Sequence, residues 1–145
     1  LRGHAVTVFD CERSRLALLN GAVNTAESLD SIAEFDWVIE ATGNLDVLST
    51  ALEQSATGAT ILLMGLPYGQ RNFSFESVVA FDRSVIGTVG SSGADLDEAL
   101  RILPRIDTTP FLQVALPLTE FEEACNLVRS KRVLKVMLQP DAGAA

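Results

Sequence analysis

The sequence predicts an α/β fold, a parallel doubly wound sheet whose strands are joined by crossover helices. Three observations predict it. Short apolar segments alternate with amphipathic ones along the 145 residues, the order that crossover connections require. The segment Ala59-Thr60-Ile61-Leu62-Leu63-Met64 is apolar on both faces, as strands are inside a sheet covered on both sides. Glycine recurs just after apolar segments, at Gly43, Gly65 and Gly90, where a strand gives way to a turn.

The elements follow in order. Ala5 to Phe9 reads as a buried strand ending at Asp10, and a helix over Glu12 to Leu19 brings Leu16, Leu18 and Leu19 to the core. Asn20-Gly21 stops it, both residues tolerating the left-handed backbone of a C-cap. A short strand near Val23 and a brief polar helix around Ser28 to Glu34 come next. Trp37 to Ala41 is the following strand, ended by Thr42-Gly43-Asn44. A helix over Leu45 to Gln54 repeats Leu45, Leu48 and Leu52 at helical spacing. Gly58 turns the chain into the strand 59–64, which Gly65-Leu66-Pro67 ends, and a loop runs to Asn72.

Ser84 to Val89 is a further strand, followed by Gly90-Ser91-Ser92-Gly93. Asp95 to Leu103 is a helix with Leu96, Ala99, Leu100 and Leu103 on one face, closed by Pro104. Leu112 to Leu116 reads as a strand. Thr119 with Glu122 has the spacing of a capping box for a helix running to about Ser130. Val133 to Leu138 is the last strand, and Asp141 to Ala145 is expected to be a disordered tail. The sequence carries no internal repeat.

Composition narrows the function classes. A net charge of −8 repels a phosphate backbone, so nucleic acid is not an expected partner. The apolar run Ala59 to Leu66 is too short to cross a bilayer, so no membrane partner is expected. Leu1-Arg2-Gly3-His4 leads straight into a strand-like segment without a signal-peptide pattern. The two cysteines, Cys11 and Cys125, fit no metal-ligand spacing. They are expected to be reduced thiols in a cytoplasmic protein, Cys125 on the apolar side of its helix. The one histidine, His4, sits at a strand entrance as a surface residue. No metal ligands and no catalytic residues are assigned to this chain.

Asp10 is the most informative residue. An acid that ends a strand before a helix is where dinucleotide-binding folds bond the adenosine ribose. The strand ends at Thr42-Gly43, Gly65-Leu66 and Val89-Gly90 add the rim at which open α/β sheets bind ligands. The glycine-rich phosphate loop of such folds lies about 20 residues before the acid. Only nine residues precede Asp10, so that loop and the first strand are expected to lie before Leu1, with Gly3 the C-cap of the helix between. The strands at Val6 and Val38 then lack the partner that stands between them in the doubly wound order.

Together these stretches resemble the medium-chain dehydrogenase/reductase family, the zinc-type alcohol and polyol dehydrogenases, from Val6 to Leu138. The resemblance is carried by Val6-Thr7-Val8-Phe9-Asp10, Trp37-Val38-Ile39-Glu40-Ala41-Thr42-Gly43, Gly58 to Pro67, Ser84 to Ser91 and Leu116 to Ala124. It implies a partial Rossmann-like NAD(P)-binding domain over residues 1–110 and a segment over 111–140 that returns to a catalytic domain absent from these residues. It also implies roles. Asp10 would bond the adenosine ribose and favour NAD over NADP, with Arg15 either helping to hold the ribose or standing as a solvated helix residue. Thr42 and Gly43 would border the adenosine side. Met64, Gly65 and Leu66 would border the nicotinamide, and Thr88, Val89 and Gly90 would offer backbone groups to its carboxamide. Lys135 would reach the pyrophosphate or remain a solvated lysine. Zinc would belong to the catalytic domain.

The implied function is hydride transfer between NAD(P) and an alcohol, polyol or sugar, by an enzyme of which this part alone is inactive. A homodimer or homotetramer through the strand Val85 to Val89 is implied with it. The alternatives are a zinc-independent enone or quinone reductase of the same family, or a non-catalytic dinucleotide-sensing or interaction module.

Overall fold

The computed structural model describes residues 3–19, 21 and 23–140. The chain divides into two compact units, one of Leu29–Gly93 and one of Leu1–Ser28 with Ala94–Ala145.

In the second of these, β1 (Thr7–Phe9) pairs in parallel with β2 (Asn24–Ala26). The Asp10 amide donates to the Ala26 carbonyl at 3.2 Å, so the acid sits directly at the carboxyl end of β1. Between the strands lies α1 (Arg13–Ala17), shorter than the predicted helix and burying only Leu16. Gly21 has φ +71°, the left-handed backbone expected beyond that helix; Asn20 lies outside the described residues.

The Leu29–Gly93 unit is a three-stranded parallel sheet in the order β3-β4-β5, with β3 (Trp37–Glu40), β4 (Thr60–Leu63) and β5 (Ser84–Gly87). The central strand is the one read as apolar on both faces, and its Ile61 is fully buried. Helix α2 (Leu45–Gln54) packs Leu48, Ala51 and Leu52 onto Ile61 and Ile32. Asn44 caps it, its side chain accepting from the amides of Asp46 at 2.8 Å and Val47 at 3.4 Å. The predicted polar helix at 28–34 is instead a single 3-10 turn, Ile32–Glu34. Ile32 buries itself in this core, with Leu29 packed against it. A short helix absent from the sequence expectations, α3 (Glu76–Ala80), occupies part of the stretch after Asn72.

Arg83, just before β5, is buried and ties these elements together. Its guanidinium donates to the carbonyls of Leu52 at 2.8 Å and of Glu53, Ala56 and Ser77 at 3.2 Å, and also to that of Ser55. Helix α2 has no basic residue in its own last turn, so its orphan carbonyls are satisfied from the far side of the unit.

On its free side β3 has no paired strand among the described residues, and β1 likewise has only β2.

The remaining elements are α4 (Gly93–Ile102), β6 (Ala115–Pro117), α5 (Phe121–Arg129) and β7 (Met137–Gln139). Strands β6 and β7 pair in parallel around α5, a βαβ unit. Pro104 does close α4, but from within a 3-10 turn, Leu103–Arg105. The capping box does not form. Thr119 lies in a 3-10 turn over Leu118–Glu120, and α5 starts after Glu120 without a side-chain cap. Cys125 is exposed rather than on the apolar side of α5; Ala124 beside it takes the buried position. The residues read as a disordered tail, Asp141 to Ala145, lie outside the described residues.

At the 3-10 turn Thr109–Phe111 the first amide donates to Asp107 Oδ1 at 2.9 Å. Thr109, through its side chain first and its backbone second, holds the Asp107 carboxyl below the usual carboxylate range. A depressed acid stabilises the turn above its unfolded-state pKa, and that support is lost as pH falls through the folded-state value. Thr109→Val should therefore move the Asp107 titration upward in an NMR pH series. An unmoved titration would show that the side-chain bond is not what holds the acid down.

Candidate functional site

The three strands of the Leu29–Gly93 unit run in register, so that Glu40, Leu63 and Gly87 form one row at their carboxyl ends. The turns that follow therefore come together at one edge of the sheet, the edge at which open α/β sheets bind ligands. Thr42 and Gly43 follow β3, Met64, Gly65 and Leu66 follow β4, and Thr88, Val89 and Gly90 follow β5. The β5 ladder continues one bond further, the Thr88 amide donating to the Leu63 carbonyl at 3.0 Å. Beyond it Val89 is 93% exposed, and Met64 and Leu66 are exposed by 56% and 64%. The rim thus presents apolar side chains to solvent.

Two of these turns touch through their backbones. Gly43 has φ +66°, and a Cβ there would stand 2.6 Å from the Leu66 carbonyl oxygen. A Cβ on Gly65 would collide with the Gly43 amide nitrogen and come within 2.6 Å of Glu40 Oε2. The close approach that these glycines allow is made first between parts of the protein itself.

Glu40 is the residue that sequence reasoning missed. It closes β3 on the core face and is only 3% exposed. Oε1 accepts from the Thr42 amide at 2.7 Å, the Thr42 hydroxyl at 2.5 Å and the Gly43 amide at 3.1 Å. Its main-chain carbonyl accepts from the amides of Met64 at 2.8 Å and Gly65 at 2.9 Å. The available signal was an acid ending the otherwise apolar Trp37-Val38-Ile39 run, directly before Ala-Thr-Gly. Because the Thr42 hydroxyl donates its one proton to Glu40, it has only acceptor capacity left.

In the other unit the structure brings Asp10 and Arg15 together. Arg15 Nη1 lies 2.8 Å from Asp10 Oδ2, and the Glu12 amide donates to Asp10 Oδ1 at 2.9 Å. Arg15 is therefore an ion-paired residue, and the carboxylate is held in place at the end of β1. Lys135 is exposed and lies before β7, outside the strand, because the predicted strand over 133–138 begins only at Met137. Among the described residues no group of three or more His, Cys, Asp or Glu could hold a metal ion, and no helix is long and apolar enough to cross a membrane.

No protein-family model and no curated protein sequence matches the chain. Solved structures do. An alcohol dehydrogenase from Thermotoga maritima superposes with a TM-score of 0.80 at 22% identity, over 95% of this chain and 44% of that one. A thermostable alcohol dehydrogenase from Pyrobaculum aerophilum gives 0.77 at 27% identity, over 95% and 43%. The Escherichia coli protein YhdH, solved with bound NADPH, gives 0.72 at 15% identity, over 94% and 47%. This chain thus spans less than half the length of each. Its fold is the Rossmann-like α/β fold of the zinc-type alcohol and polyol dehydrogenases, as the sequence resemblance implied.

Proposed function

We propose that the protein is a nicotinamide-dependent dehydrogenase acting on an alcohol, polyol or sugar, and that this chain holds NAD. The observation that carries the reading is the Asp10 carboxylate, fixed at the carboxyl end of β1 between the Glu12 amide and Arg15. A strand-ending acid so held accepts the two ribose hydroxyls and repels a 2′-phosphate, which disfavours NADP. In the Leu29–Gly93 unit the exposed Met64, Leu66 and Val89 at the strand ends support a nicotinamide rim.

When bound, the nicotinamide supplies the hydride acceptor for the substrate's carbinol carbon. The chain's own part is positioning. Met64 and Leu66 would cover the ring against water, while backbone groups of Thr88, Val89 and Gly90 would hold its carboxamide and so choose the face presented. Thr42 and Gly43 would border the adenosine side through backbone atoms, and Lys135 would meet the pyrophosphate as a point charge. Zinc is different, because the described residues offer no donor set for it, and no step is assigned to a metal here. The Phe111–Pro140 stretch, with β6, α5 and β7, would return to a catalytic domain. The exposed edge of β5 would form the seam of a cytoplasmic homo-oligomer.

The test is Asp10→Ala in the full-length protein. NAD affinity should fall about tenfold, the worth of one good hydrogen-bonded acceptor, and preference for NAD over NADP should narrow by a similar factor. Calorimetric titration with both nucleotides measures this. Unchanged affinity and unchanged preference would remove the ribose assignment, and a parent protein that binds neither nucleotide would remove the dehydrogenase reading.

A further inference from the structure

We infer that Glu40 is a positioning residue: its buried carboxylate and its own carbonyl together set the shape of the turns after β3 and β4. The inference rests on the cofactor reading above and adds to it the group that holds the rim rigid. A carboxylate 3% exposed is expensive to bury unless its lone pairs are filled. Here every donor that fills them comes from the adjacent turn, from Thr42 N, Thr42 Oγ1 and Gly43 N.

The same residue reaches the second turn through its backbone. Met64 N and Gly65 N both donate to the Glu40 carbonyl, and Gly65 leaves no room for a side chain against Glu40 Oε2. Glu40 therefore fixes two neighbouring turns at once, in one place and from beneath. Charge-assisted bonds of this kind are about twice as strong as neutral ones. They leave the upper surface of both turns, with Met64 and Leu66, free to meet a ligand. Asn44 extends the chain of bonds, its amide donating to Thr42 Oγ1 at 3.0 Å, so the start of α2 is set by the same acid.

The test uses the full-length protein and two variants. In Glu40→Gln the amide oxygen keeps the three donors without charge assistance, while the amide nitrogen replaces Oε2, so the second bond from the Gly43 amide, at 3.2 Å, is lost and an N–H faces that amide instead. Hydrogen exchange at Thr42 and Gly43 should accelerate by about tenfold or more, with Leu48 and Leu52 in α2 unchanged, and NAD should bind about tenfold more weakly. Thr42→Val, a milder change at an exposed residue, should reproduce a smaller part of both effects. Thr42→Ser should restore them, and in the Glu40→Gln background Thr42→Val should add less than it does alone.

Unchanged exchange at Thr42 and Gly43 would overturn the inference, and so would acceleration spread evenly over β3, β4 and α2. Local acceleration with full NAD affinity would overturn it as well, since the turns would then not matter to the cofactor. A parent protein that binds no NAD would remove the dehydrogenase reading, and local acceleration in Glu40→Gln would still uphold the structural role of the acid.

Discussion

Gly65→Ala is expected to destabilise the protein by about 2–4 kcal/mol and to abolish measurable NAD binding, because the added methyl has nowhere to go. Its Cβ would collide with the Gly43 amide nitrogen and come within 2.6 Å of Glu40 Oε2 and 2.8 Å of the Thr42 amide nitrogen. None of these neighbours is the free end of a flexible chain. Two are backbone, and the third is a buried carboxylate already committed to Thr42 and Gly43. The turns after β3 and β4 would have to part, breaking the amide bonds from Met64 and Gly65 to Glu40. Gly87→Ala is the matched control, since a Cβ in that strand meets nothing within 4 Å and should cost little. Denaturant unfolding of both variants checks the contrast. Equal stability would mean that the two turns yield readily and that Gly65 is not a packing requirement.

Arg83→Ala is expected to cost about 3 kcal/mol, which for a protein of this size lowers the melting temperature by about 10 °C. The wild-type guanidinium is buried, sits 4.6 Å from the Phe81 ring centroid and donates to five carbonyls, of Leu52, Glu53, Ser55, Ala56 and Ser77. Four of these close or follow the last turn of α2. Removing the donor strands acceptors that water reaches poorly, at the negative end of the helix. The Ser77 hydroxyl, 3.0 Å from the Leu52 carbonyl, would cover only one of them. Arg83→Lys should recover less than half of the loss, because one ammonium cannot reproduce the planar fork. Scanning calorimetry of the two variants decides it. Full recovery by lysine would show that charge rather than hydrogen-bond geometry holds the helix end.

Much of this protein was legible in the chain. Helix α2 was read at its observed bounds, because Leu45, Leu48 and Leu52 repeat at the helical period and Gly58 marks the turn beyond. Strand β4 is legible as a strand inside a sheet covered on both faces because no polar residue interrupts Ile61-Leu62-Leu63, and it lies between β3 and β5. Such elements are set by local patterns, and so is the order of strands and helices that carries the fold class. Asp10 was legible for the same reason, as an acid ending a short apolar strand.

Other features were illegible because their cause lies far along the chain or in competition between residues. The Thr119–Glu122 spacing fits a capping box, yet a 3-10 turn claims Thr119 and α5 begins after it. The stretch at 28–34 looks like a polar helix, but burying Ile32 against α2 is worth more than helical propensity in so short a segment. Lys135 looked like a strand residue because Val133, Leu134 and Val136 surround it, whereas pairing with β6 starts only at Met137.

By itself, then, the amino-acid sequence determined the α/β class, the run of parallel strands and where those strands end, since periodicity and turn residues act locally. Only the tertiary structure decided that Arg83 completes α2, that Gly65 is wedged against Gly43, and that Glu40 binds two turns. Arg83 and Gly65 meet residues remote in the chain, and although the Glu40 carboxylate bonds only to Thr42 and Gly43, its burial and its carbonyl's bonds to Met64 and Gly65 exist only when the sheet is assembled.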